Sequence, residues 1–157
     1  MPLPELSDSS VVLRADAPDW RAAVTLAGEA LRVSGATDAA YTGRMIDVID
    51  DFGAYVVIAP GLALAHARPG ADVLRDALSV VTLENAVPFG HPHNDPVSVV
   101  LGLAVTTSEG HVAWVAEIAN VFNDPTAIPR LIAATSITEV RAVIGGGHTD
   151  TPLEAAS

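Results

Sequence analysis

Apolar positions along the chain fall into two registers, one helical and one extended, that follow each other in blocks. Trp20, Val24, Ala27 and Leu31 recur at i, i+4, i+7 and i+11, which predicts a helix with one buried stripe. The run Asp16-Ala17-Pro18-Asp19 predicts its start, with an acidic N-cap, proline in the first turn and a second acid at N3, and Gly35 predicts its end. A second helix follows with Thr37 as its cap, Tyr41, Met45, Val48 and Phe52 as its stripe, and Gly53 after its last turn. Short β-forming runs appear at residues 11–13 (VVL) and 55–58 (YVVI). Pro60-Gly61 interrupts the second of these, which resumes as LALAHA and closes at Arg68-Pro69-Gly70. Residues 77–83 (ALSVVTL) read as a strand, and residues 84–96 as a loop dense in Pro, Gly, Asn and Asp. The most continuous apolar run, residues 97–106 (VSVVLGLAVT), predicts a central strand buried on both faces. Three helices complete the chain. One is capped by Ser108 with Val115, Ile118 and Phe122 inward, and a short one starts at Pro125. The last is capped by Ser136, carries Val140 and Ile144, and stops at Gly145-Gly146-Gly147. Helices, strands and helices in this order indicate an α/β sandwich around a mixed sheet.

Composition narrows the picture. The chain has 157 residues, enough for one domain with a real core, and no apolar run of the roughly 18–20 residues that span a bilayer. The acidic, Pro/Ser-rich start does not read as a signal peptide. With no cysteine, disulfides and thiolate metal sites are excluded, which is compatible with a cytoplasmic location. The formal net charge is −11, and all eight basic residues are arginine. Such a surface repels phosphate backbones, which argues against nucleic acid, and attracts a basic protein partner.

Candidate chemistry gathers on histidines. His66 ends the second segment of the Pro60-interrupted strand, where the chain leaves the core, and functional side chains on α/β scaffolds commonly sit there. His111 lies in the first turn of a helix, on the same face as Val115, where backbone N–H groups attract anions. Arg68 offers a guanidinium fork suited to phosphoryl oxygens or to a partner's carboxylate. Arg44, on the second helix, is a weaker candidate for the same task. His91, His93 and Asp95 share one loop and could, with His66 or His111, imitate a metal site. Their irregular spacing argues against it, and no metal and no cofactor is expected. From the residues alone, His66 and His111 are equally well ordinary solvated histidines, and Arg68 an ordinary loop charge.

The segment APGLALAHARPG resembles the active-site signature of the enzyme IIA domains of the bacterial sugar phosphotransferase system (PTS). The likeness is to the mannitol/fructose-type superfamily, and within it to the ascorbate-like branch with its G-x-A-x-P-H-A-R-P pattern. Ala65 stands where that pattern has proline. The segments VTLENAVPFG, DPVSVVLGLAVTTSEGHVAWVAEIANVFNDP and LIAATSITEV continue the resemblance in the same order, over most of residues 10–145. The resemblance implies an α/β fold with a mixed β-sheet and helices on both faces, a three-layer sandwich. It implies a phosphotransferase that takes a phosphoryl group from phospho-HPr on His66, with His111 beside it, and Arg68 stays the candidate for binding the substrate group. A IIB domain would receive the group, and the membrane would be met only indirectly through a IIC component. Residues 1–147 would form this domain and residues 148–157 a flexible tail. Two rival readings are a regulatory IIA-like module that binds proteins by phosphorylation state, and a metal-dependent hydrolase using His66, His91, His93 and His111.

Overall fold

In the strands of this protein, small side chains alternate with large ones where a half-exposed strand would alternate polar with apolar. The computed structural model describes residues 3–4 and 6–145; the expected tail at 148–157 and the last two glycines of the stop at 145–147 lie outside them. Strands β1 (Val11–Ala15), β2 (Val57–Ala59), β3 (Leu62–His66), β4 (Ala77–Val87) and β5 (Val97–Ala104) form one sheet in the order β1-β4-β5-β3-β2. β1 runs parallel to β4 and β3 parallel to β5, while the β4–β5 and β2–β3 pairs are antiparallel. The sheet is mixed, as expected, and β5 is its central strand.

Side chains of successive strand residues point to opposite faces. On one face stand Ala63, Ala65, Ser79, Val81, Gly102 and Ala104, and against them pack helices α1 (Trp20–Val33) and α2 (Ala39–Phe52). The small side chains let α1 approach closely. A Cβ placed on Gly102 would lie 3.3 Å from the Ala27 Cβ and 2.4 Å from the Ser79 Oγ, and that hydroxyl donates to the Ala27 carbonyl at 2.8 Å. On the other face stand Leu62, Leu64, Leu78, Val80, Val99, Leu101 and Leu103, under helices α3 (Ser108–Phe122), α4 (Ala127–Ala133) and α5 (Ile137–Ile144). Fully burying each such side chain contributes about 1.5–3 kcal/mol. Two cores, one on either side of the sheet, make the three layers.

Several boundaries differ from the sequence reading, each for a local reason. Asp19, not Asp16, caps α1, its side chain accepting from the Ala22 N–H at 2.9 Å. Asp38, not Thr37, caps α2. Thr37 is instead drawn inward by an antiparallel bridge to Val73. Thr107, one residue before the expected Ser108, caps α3 by accepting from the Gly110 N–H. Residues 54–56 form a single 3-10 turn, so the edge strand is only three residues long. β4 runs on to Val87, into the segment expected to be loop. α4 begins at Ala127, two residues after the expected Pro125. Ser136 caps α5 as expected, accepting from the Glu139 N–H.

Candidate active site

His66 is the last residue of β3, paired in register with Leu103 of β5. By strand alternation it follows Leu62 and Leu64 onto the α3 side of the sheet. Past His66 the chain leaves the ladder, and Tyr41 of α2 supplies the missing partner. Its buried hydroxyl donates to the Leu103 carbonyl at 2.6 Å and accepts from the Ala67 N–H at 2.9 Å. Burial pushes the phenol up to about 12, so it stays a neutral donor. Arg44, one turn further along α2, forks onto Asp72 at 2.7 Å through Nε and Nη2, and Nη2 also donates to the Arg68 carbonyl at 2.8 Å. The loop after the histidine is thus tied to α2 at three points. Tyr41→Phe strands one buried acceptor and one buried donor, and should lower stability by about 1–3 kcal/mol. Urea unfolding of the variant checks this, with an unchanged midpoint as the contrary outcome.

The His66 ring is half-buried, and its Nδ1 lies 3.0 Å from the Leu64 carbonyl. A carbonyl only accepts, so Nδ1 carries the proton and Nε2 keeps a free lone pair. Burial holds the imidazolium pKa below its ordinary value of 6.5; the Leu64 carbonyl opposes this and the nearby His111 adds to it. The ring is therefore a neutral imidazole with one defined nucleophilic nitrogen.

His111, in the first turn of α3, brings its ring centroid to 4.9 Å from that of His66, tilted by 40°. Its Nδ1 is buried and has no hydrogen-bond partner among the described residues. Tyr55 closes the other side edge-on, with centroids 6.5 Å apart. The two histidines open into a cleft of about 900 Å³ between α2 and α3, lined also by Val48, Phe52, Arg68 and Val112. Arg68 is exposed on its rim, and its guanidinium pairs with no described residue. Phe52 stood on the expected buried stripe of α2, yet it is 72% exposed, as Val112 is at 69%.

The structure thus brings together His66, His111 and Arg68. The other two described histidines serve the β4–β5 loop. His91 Nδ1 accepts from the backbone N–H groups of His93 and Asn94, and the Asp95 carboxylate accepts from those of Phe89, Gly90 and His91. These are turn-forming bonds, and no three His, Cys, Asp or Glu residues among those described group to hold a metal ion. No described helix is long and apolar enough to cross a membrane.

Residues 6–146 match the family described as "Phosphoenolpyruvate-dependent sugar phosphotransferase system, EIIA 2". The chain belongs to this family. EIIA components are phosphoryl-transferring members of that system, and this EIIA chain shares their mixed-sheet fold. It is 33% identical over 138 residues to the "Ascorbate-specific PTS system EIIA component" of Escherichia coli K12, covering 87% of this chain and 90% of that one. A Streptococcus mutans chain described as a PTS IIA (PtxA) is 34% identical and superposes with a TM-score of 0.82, over 91% of this chain and 92% of its own. The enzyme IIA of E. coli in its complex with phosphorylated enzyme IIB for mannitol shares the fold, with a TM-score of 0.79 at 24% identity over 92% and 99% of the two chains.

Tyr41 and Asp72, which tie the loop after His66 to α2 and β5, were not among the candidates drawn from the sequence. Only Tyr41 left a trace there, as one apolar position in a stripe, and nothing in that pattern marks its hydroxyl. Arg44 was a candidate for the phosphoryl group; its partner is Asp72.

Proposed function

We propose that this EIIA chain carries the phosphoryl group on Nε2 of His66, taking it from phospho-HPr and passing it to a cysteine of a IIB component of the ascorbate class. The single observation that carries this is the Nδ1–H bond from His66 to the Leu64 carbonyl, which leaves one lone pair free and orients the ring at the mouth of the cleft. In acceptance, an Nε2–P bond forms as the P–N bond of phospho-HPr breaks, and the proton stays on Nδ1. In donation, an S–P bond forms on the IIB thiolate as the Nε2–P bond breaks. Phosphoryl transfer asks little covalent work of the protein beyond positioning and charge stabilisation. Arg68 meets the equatorial oxygens from the rim, and His111 supplies a hydrogen bond beside them. The acceptor assignment takes support from the ascorbate-specific relatives at 33% identity.

Incubation with phosphoenolpyruvate, enzyme I and HPr adds one phosphoryl group, found by mass analysis on the peptide containing residue 66. Phospho-protein then passes it to an ascorbate-type IIB. Label on any other residue overturns the reading.

Docking follows the charge. Asp47, Asp51 and Glu109 are exposed next to cleft residues, and the chain as a whole carries −11. The exposed Phe52, Tyr55 and Val112 form the apolar floor between them. A basic donor face is attracted, and this attraction is screened over about 10 Å at 0.1 M salt. The second-order rate of transfer from phospho-HPr should therefore fall as salt rises from low to physiological levels. A rate constant that does not respond to salt would place the acidity away from the docking face.

A further inference from the structure

We propose that Asp76 is a positioning residue for His111: its carboxylate locks the entry and the first turns of α3 to the sheet and so holds the His111 ring against His66. Asp76 directly precedes β4, and the Ala77–Ala104 pairing places it beside the end of β5, where the chain turns towards α3. Each of its oxygens is committed. Oδ1 accepts from the Thr106 backbone N–H at 2.8 Å and from the Thr106 hydroxyl at 2.9 Å, while Oδ2 accepts from the Trp114 indole N–H at 3.0 Å. One carboxylate therefore grips the segment before the helix and the helix itself.

The geometry transmits directly to His111. Trp114 lies three residues on, and residues at i and i+3 share a face of a helix, so fixing the indole fixes the rotation of the turn that carries the histidine. A Cβ on Gly110 would lie 3.7 Å from Asp76 Oδ2 and 3.0 Å from Thr107 Oγ1, so this turn rests against the carboxylate with little room to roll. Gly110, Trp114 and Ile118 are the buried residues of α3, with Val115, Val121 and Phe122 partly buried against the same core, and His111 Nδ1 has no hydrogen bond of its own among the described residues. Burial pushes the Asp76 carboxyl up, but hydrogen bonds from Trp114 and Thr106 outweigh it and hold the group below the usual carboxylate range, so it stays anionic at neutral pH.

The proposal rests on the reading of His66 as phosphoryl acceptor with His111 as its neighbour, and the test separates the two. In histidine-labelled protein, NMR reads the ring-to-ring Overhauser effect between His66 and His111, and single-turnover kinetics reads transfer to IIB. Asp76→Asn places an amide N–H against one of the donors. It should erase the ring-to-ring effect and slow onward transfer by about tenfold or more, as small misplacements at a reacting centre do. In the His111→Ala background the same change should cost no more than about twofold. A folded Asp76→Asn protein that keeps the ring-to-ring effect overturns the proposal, as does an equal rate loss with and without His111. If the effect is lost while His111→Ala and Asp76→Asn both leave the rates intact, the positioning stands and the reading of His111 falls. Should Asp76→Asn fail to fold, Trp114→Phe and Thr106→Val each delete one donor, and retention of the ring-to-ring effect in both overturns it.

Discussion

His66→Ala leaves the protein unlabelled when it is incubated with phosphoenolpyruvate, enzyme I and HPr, while its thermal unfolding stays close to that of the unmodified chain. In the proposed reading the nucleophile is a single lone pair on a ring whose other nitrogen is engaged with Leu64, and the other lining residues named above would not take its place. Arg68 has no usable lone pair, and His111 comes from a different element in a different orientation. The fold should tolerate the change because the chain around residue 66 is held by its backbone, through Tyr41, Arg44 and the β3–β5 ladder. Acceptance by the unmodified protein has a matching pH dependence. Burial lowers the His66 pKa, so the neutral, attacking form persists below the ordinary value of 6.5 and is lost only as pH falls through that lower value. Label that survives His66→Ala, or that appears on His91 or His93, defeats the assignment.

The second large effect concerns donation. His111→Ala should still accept a phosphoryl group, at a reduced rate, but should pass it to IIB about 10²–10³ times more slowly, the usual loss when one preorganised donor acting on a transition state is removed. The reason is the tilted contact at 4.9 Å, which in the proposed reading would set an imidazole beside a phosphoryl group on His66 without making it the attacking atom. Single-turnover measurement of both half-reactions decides the matter. Equal rates in both would make His111 a helix residue only. A folded variant that takes no label at all would mean that the division of work between the two histidines is wrong.

Much of this arrangement was legible in the chain itself, and the exceptions have a common cause. Apolar periodicity placed α1, α2 and the central strand β5, because stripe and run are properties of side chains taken one at a time. The APGLALAHARPG segment likewise led to His66, and the EGHVAW segment to His111. The helix starts were off by one to three residues because Asp16, Thr37 and Ser108 are all good capping residues with another good one close by. Which of them is used depends on where the preceding strand or loop delivers the chain. Phe52 sat at a buried spacing but, as the last residue of α2, lines the cleft. Tyr41, Asp72 and Asp76 act through pairings 26 to 62 positions away in the chain, and no local pattern records a partner at that distance.

The unequal faces of the sheet also set what this protein can become. On the α1–α2 side Ala63, Ala65, Ser79, Gly102 and Ala104 are already near the lower limit of size, and growth at Gly102 meets the Ser79 hydroxyl and the Ala27 backbone. On the α3–α5 side they are near the upper limit, and shrinkage at Leu64 or Leu101 opens a void costing about 2–5 kcal/mol. Drift in the first layer is thus bounded from above and in the second from below. The loop that follows His66 is tethered to the layer that cannot expand, and His111 rides on the one that cannot contract. Variation that the fold tolerates will therefore collect on the outer surfaces of the helices, leaving the gap between the two imidazoles as the quantity that both layers hold constant.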